Sequence, residues 1–144
     1  MGIALAENVR RLIDSRNFAH LATILPDGSP HSAPVWMGRD RDRIIVVTDE
    51  GSLKSKNTRR DPRVAISIVD MDDPYTVAHL RGRVVERRPD IDFRYIDSIC
   101  QKYVGQDWPL RDAVAVALFI EIDKAHYEKQ PFEHAPSLPV KNPG

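Results

Sequence analysis

The alternation of apolar and polar side chains changes period several times along this chain, and each change marks an element. Val9, Leu12 and Ile13 recur at helical spacing, with Arg10, Arg11, Asp14 and Arg16 on the other faces, so a first helix is expected there. The period then shortens. Phe18 to Leu25 (FAHLATIL) reads as a largely buried strand, Pro26-Asp27-Gly28-Ser29 as a turn, and Pro30 to Met37 as a second strand closing a hairpin. Asp40-Arg41-Asp42 is the next turn, and Arg43 to Asp49 (RIIVVTD) a third strand rich in β-branched residues. After Gly51, Ser52 serves as N-cap of a short basic helix, Ser52 to Arg60, ended before Pro62. Arg63 to Val69 is strand four, and the acidic turn Asp70 to Pro74 follows it. Tyr75 to Glu86 is a long strand five, with Gly82 as a bulge or crossing point. Pro89 opens a second long helix running to about Tyr103, with Ile91, Tyr95, Ile96, Ile99 and Tyr103 at helical spacing. Ala113 to Ile122 is a last, fully buried strand. From Gln130 on, Pro131, Pro136, Pro139 and Pro143 make a tail that cannot pack regularly.

Three strands arrive with only turns between them, which fits an antiparallel barrel better than a parallel sheet, where a long crossover follows most strands. The pattern predicts a mainly-β (α+β) fold: a small six-stranded antiparallel barrel, closed or nearly so, with flanking helices. Residues 1–129 form its one domain and residues 130–144 the tail. A chain of 144 residues supports one core. Its 21 basic and 21 acidic side chains cancel, so no overall field draws it to nucleic acid or membrane, and any anion site must be local. The longest apolar stretch is about half of the roughly 20 residues that span a bilayer. The first residues do not resemble a secretory signal, and the single Cys100 cannot form an internal disulfide. A cytoplasmic protein is the expectation.

Candidate chemistry concentrates between Thr48 and Arg63. A buried strand ends, a glycine turns the chain, and a helix opens with hydroxyls and lysines: Ser52, Lys54, Ser55, Lys56. Free N–H groups and the helix dipole attract an anion at such a start, and the lysines add mobile charge suited to a phosphate. Spacing alone leans toward a solvated basic helix that simply continues into Arg59 and Arg60. No aromatic residues interleave with the basic ones, which weakens a nucleic-acid reading.

The succession LATILPDGSPHSAPVW, a β-branched strand ending in Thr48, SLKSKNTRRDPRVAISIVD and DDPYTVAHLRGRV resembles the pyridoxamine phosphate oxidase-like split-barrel superfamily. Within it the chain is similar to the branch of small reductases that use the deazaflavin coenzyme F420. The resemblance covers roughly residues 15 to 125. It implies a split β-barrel homodimer with two cofactors, each in a groove at the subunit interface. Lys54, Ser55, Lys56 and Asn57, with Ser52, would form the phosphate end of that groove. Val47, Thr48 and Asp49 would lie along the ring and ribityl chain. Ser32, Ala33, Pro34 and Val35 would present backbone groups to the ring's polar edge. Tyr75, Thr76, Val77 and Ala78 match the segment that reaches across from the second subunit. The implied activity is hydride transfer to a small unsaturated or quinone-like substrate, with FMN as the alternative cofactor and a non-enzymatic flavin or haem carrier as a further one. The chain departs from true pyridoxamine phosphate oxidases where Pro34 and Arg39 replace an arginine and a lysine. It also lacks their C-terminal basic motif, keeping only Lys124, Lys129 and Lys141 after Glu121. Both departures argue against vitamin B6 oxidation. Arg59, Arg60 and Arg63 would suit the oligoglutamate extension of a deazaflavin.

Other polar residues carry weaker signals. Trp36 is expected on the opposite face of its strand, in the core or a dimer interface. His20 reads as a packed or interface residue; His31 is a candidate for a ring edge, His79 for a substrate mouth and Trp108 for capping a neighbour's groove. Cys100 reads as core. No histidines fall at metal-ligand spacing. No covalent nucleophile is needed, and the sequence leaves the proton source open among solvent, Tyr75 and a histidine.

Overall fold

The computed structural model describes residues 2–112, 114–137 and 139–143. Ten elements follow one another: α1 (Glu7–Asp14), β1 (Ala19–Ile24), β2 (Pro30–Val35), β3 (Gly38–Asp40), β4 (Arg43–Asp49), α2 (Leu53–Arg60), β5 (Arg63–Val69), β6 (Thr76–Pro89), α3 (Arg94–Val104) and β7 (Ala115–Lys129). The strands make one antiparallel sheet in the order β2-β1-β5-β6-β7-β4-β3.

The six-stranded, closed or nearly closed barrel is corrected on two counts: the sheet has seven strands and it is open between β2 and β3. The extra strand, β3, is three residues of Gly-Arg-Asp paired with Arg43, Ile44 and Ile45, too short and too polar to register as a strand in the pattern. β2 stays an edge because Pro30 and Pro34 have no N–H to extend the ladder. The hairpin before it forms as expected, with Gly28 at φ 87° and the Asp27 carboxylate accepting from the Ser29 N–H and hydroxyl. β1 is half-buried rather than largely buried, since only Ala19, Leu21 and Thr23 turn inward.

β6 and β7 run longer than their hydrophobic signals. β7 continues to Lys129 along a polar, mostly exposed stretch because β6 keeps pairing with it, Thr76 opposite Lys129. The expected strand start at Ala113 lies outside the described residues. Gly82 does mark an irregular register; a Cβ there would overlap the Glu121 carbonyl oxygen. The helix expected from Pro89 begins instead at Arg94. Pro89 still belongs to β6, and Ile91 is 85% exposed rather than part of the apolar face. Asp90 fixes the later start: its carboxylate accepts from the N–H groups of Tyr95 (3.1 Å) and Ile96 (2.9 Å).

One sheet face closes over α1, where Leu5, Val9, Leu12 and Ile13 meet Leu21, Ile44, Val46, Ile66, Leu80, Leu118 and Ile120. Behind β4 and β7 lies a smaller cluster of Ile45, Ile99, Ala117 and Phe119, flanked by Trp36, Val47, Tyr95 and Tyr103. Cys100 is buried, and desolvation pushes its thiol pKa up. No described helix is long and apolar enough to cross a membrane.

Candidate functional site

Past the buried run Ile44 to Val46, Val47 and Thr48 at the end of β4 are only half-buried and border a hollow beside α3. Thr48 donates to the Ser52 hydroxyl (2.8 Å), which in turn accepts from the Ser55 N–H (3.2 Å) and caps α2. Asp49 spends a carboxylate oxygen on the Gly51 N–H (2.8 Å), shaping the turn. The helix start is therefore fixed by its own residues, and Lys54 projects from it toward the exposed end of β4.

Lys54 borders a hollow of about 470 Å³ lined by Phe18, Pro34, Val35, Trp36, Val47, Thr48, Ile96, Ile99 and Trp108. An aromatic stack forms its back: Trp36 lies parallel to Tyr103 at 5.1 Å, Tyr103 parallel to Phe18 at 6.1 Å, and Trp108 stands edge-on to Trp36 at 6.2 Å. Tyr103 is locked by donating to the Asn17 carbonyl and accepting from the Met37 N–H. Beneath it the Lys102 ammonium donates to the carbonyls of Ile13 (2.8 Å) and Met37 (2.6 Å), and burial pushes its pKa down to about 8. A second hollow of about 300 Å³, bounded by Asp49, Phe93, Leu110 and Ala115, shares Val47, Thr48, Ile96 and Trp108 with the first.

The basic residues of this region divide sharply. Arg59 pairs with Glu50, Arg60 with the Ile24 carbonyl and Asn57, and Arg63 with Asp61. Arg87, on β6, bonds the Ser55 hydroxyl (2.6 Å), the Ser55 carbonyl (3.1 Å) and the Thr58 hydroxyl (3.0 Å) from below. Desolvation lowers its pKa, with repulsion from Arg59 adding to the effect. Among the described residues neither the Lys54 nor the Lys56 ammonium has a hydrogen-bond or ion-pair partner, and the N–H groups of Leu53 and Lys54 find no protein acceptor.

Of the residues singled out in the sequence, Pro34, Val35, Val47, Thr48 and Lys54 come together around the larger hollow, with Asp49 at the smaller one. Ser52 supports Thr48, while Lys56 is exposed on α2. Ser55 and Asn57 are buried, one on Arg87 and the other donating to the Thr23 hydroxyl at 3.0 Å. Ser32 and Ala33 lie farther along β2, opposite Ala22 and Leu21. Tyr75, Thr76, Val77 and Ala78 lie at the far end of β6. There the Thr76 and Ala78 side chains are buried, and Tyr75 contacts Phe132 and His134 of the tail. Sequence reasoning did not single out Phe18, Ile96 and Ile99 as lining residues; Trp36, expected in the core or a dimer interface, packs against the smaller core cluster and also lines the hollow. The signal available was aromatic: both tryptophans of the chain line one hollow.

A larger hollow, about 670 Å³, lies on the outer sheet face among Ala22, Ala65, Ser67, His79, Arg81, Lys124 and His126. It is away from α2 and the aromatic stack. His31, opposite Thr23, borders neither the groove nor this hollow.

Residues 5–128 match the pyridoxamine 5'-phosphate oxidase family. The chain belongs to that family. Its fold superposes on a solved structure named F420 reductase with a TM-score of 0.78 at 26% identity, covering 85% of this chain and 98% of the other. A conserved hypothetical protein from Mycobacterium tuberculosis aligns with a TM-score of 0.69 at 24% identity over 99% and 96% of the two chains. A putative pyridoxamine 5'-phosphate oxidase from Listeria innocua shares the fold, with a TM-score of 0.63 at 17% identity over 84% and 95%. No curated protein matches the chain.

Proposed function

We propose that this family member is an oxidoreductase that binds a phosphorylated flavin-type cofactor in the groove behind Trp36. The cofactor is the deazaflavin coenzyme F420 in the first instance and FMN as the alternative. It works as a homodimer on a small unsaturated or quinone-like substrate. The observation that carries the reading is the unpaired Lys54 ammonium beside a capped helix start, at the rim of a hollow with apolar and aromatic walls. A flat ring with a phosphate fits that set: stacking and apolar area for the ring, N–H dipoles and Lys54 for the anion. The likeness to a structure named F420 reductase favours the deazaflavin over FMN, since both offer a phosphate to the same lysine. Vitamin B6 oxidation is disfavoured further by Arg39, which lies on β3 with its guanidinium held by Asp14 through two 2.8 Å bonds.

A reduced deazaflavin or flavin, when bound, would supply the hydride. The chain's own residues hold and orient it. Lys54 and the first turn of α2 fix the phosphate, Val47 and Thr48 set the floor, and Pro34 and Val35 bring an unpaired strand edge to the groove. Ile96, Ile99 and Trp108 exclude water from one side, so the bound groups meet in fixed geometry. Among the described residues of one chain, Lys54 is the one ionisable side chain lining this groove.

The test is a titration of the protein with F420 and with FMN, read by quenching of Trp36 and Trp108 fluorescence. Micromolar or tighter F420 binding, with FMN weaker, is expected. Preference for FMN moves the protein to the alternative cofactor, and quenching by neither ends the proposal.

A further inference from the structure

We infer that the smaller hollow beside Trp108 is a subsite for an apolar substituent of the molecule reduced in the groove, an inference that rests on the function proposed above. Its walls are Phe93, Ile96, Leu110 and Ala115, and it meets the larger hollow across Val47, Thr48 and Trp108. Asp49 is the one charged residue lining it, and one of its carboxylate oxygens is occupied by the Gly51 N–H. An uncharged, apolar group is the chemistry these walls recognise.

Trp108 stands between the hollows because the loop carrying it is strapped to α3. The Asp97 carboxylate accepts from the Trp108 N–H (3.0 Å) and from Arg111 (2.6 Å). Gln101 holds Asp107 at 2.9 Å, and the Arg111 guanidinium covers the Phe93 ring at 4.1 Å. The indole is thus a fixed partition, open on the side of Val47 and Thr48. A flexible chain can pass it there. A rigid second ring system meets the Trp108 edge.

The probe is a series of 2-alkyl-1,4-naphthoquinones of increasing chain length, with affinities measured by calorimetry on the protein with and without cofactor. Affinity is expected to rise by at most about fourfold per added methylene until the bay is full, then to level off. Ala115→Leu fills the bay from its floor and Leu110→Ser strips an exposed wall; either change flattens the series. Chain-length dependence in the wild type, lost in at least one folded variant, supports the subsite. A flat wild-type series, or an unchanged slope in both variants, overturns it. The two readings fail separately. Absence of cofactor binding with the slope intact removes the proposed function alone, whereas cofactor binding with a flat series removes the subsite alone.

Discussion

The two faces of β4 and β7 are built from the same alternating residues and end in opposite states. Toward α1, Ile44, Val46, Leu118 and Ile120 meet a continuous layer of aliphatic side chains and leave no space. Toward α3, Ile45, Ala117 and Phe119 pack beneath a short helix that starts late, and Val47 and Thr48 extend past its cover into a hollow. One face is sealed by matching aliphatics. The other is propped open by stiff rings, Trp36, Tyr103 and Trp108, whose stacking fixes the walls without filling the space between them. The contrast teaches that the fold's stability and its candidate site are held by different residues on the same strands.

Substitutions separate the two faces. The largest loss is expected where the sheet admits no side chain at all: Gly82→Val forces a Cβ into the Glu121 carbonyl, and circular dichroism should find the chain largely unfolded. On the sealed face, Ile120→Ala leaves a cavity and should cost about 2–5 kcal/mol in urea unfolding, with ligand affinity unchanged in the protein that remains folded. On the open face, Lys54→Ala should do the reverse. It removes a charge that has no protein partner, so the melting temperature holds while phosphate-dependent affinity falls by about 1.5–3 kcal/mol. Equal destabilisation by the two changes would break the comparison.

How much of this was legible beforehand depends on whether a residue's neighbours in sequence are its neighbours in space. Arg43 to Asp49 declares itself as a strand because its β-branched run needs no distant information. β3 carries no such signal; Gly38-Arg39-Asp40 is a strand because β4 lies beside it. Likewise β7 beyond Ile122 is polar and is held in register by β6. Lys54 and Thr48 were recognisable through the strand–turn–helix around them. The aromatic wall was not, because Phe18, Trp36, Tyr103 and Trp108 come from four separate stretches that only the folded chain stacks. Helical spacing alone also misplaced the start of α3, since the Asp90 carboxylate rather than Pro89 sets it.

That cap offers a smaller test. Asp90→Ala should cost about 1 kcal/mol, read as an earlier urea midpoint, and should loosen the groove's α3 wall without touching the α1 side. A pH dependence separates the faces further. Lys102 titrates near 8 in the fold and near 10.5 when unfolded, so the unfolded chain binds more protons between those values and stability rises with pH across that window. Cys100 and Tyr103, whose pKa values are raised, act in the opposite direction at the upper end. The slope should therefore be read as the difference between wild type and Lys102→Met, whose melting temperature lacks the Lys102 contribution from pH 8 upward.

The central claim is that Lys54 holds a phosphate at the edge of a ring-binding groove. Its most direct test compares ligands with and without that phosphate: FMN against riboflavin, which differ in nothing else, and F420 against the same deazaflavin without its phosphate and tail. Each is titrated into wild type and Lys54→Ala by tryptophan fluorescence. The account predicts about tenfold or greater weakening for the phosphorylated ligands and none for the others. Equal weakening for both members of a pair, or none for either, would contradict it.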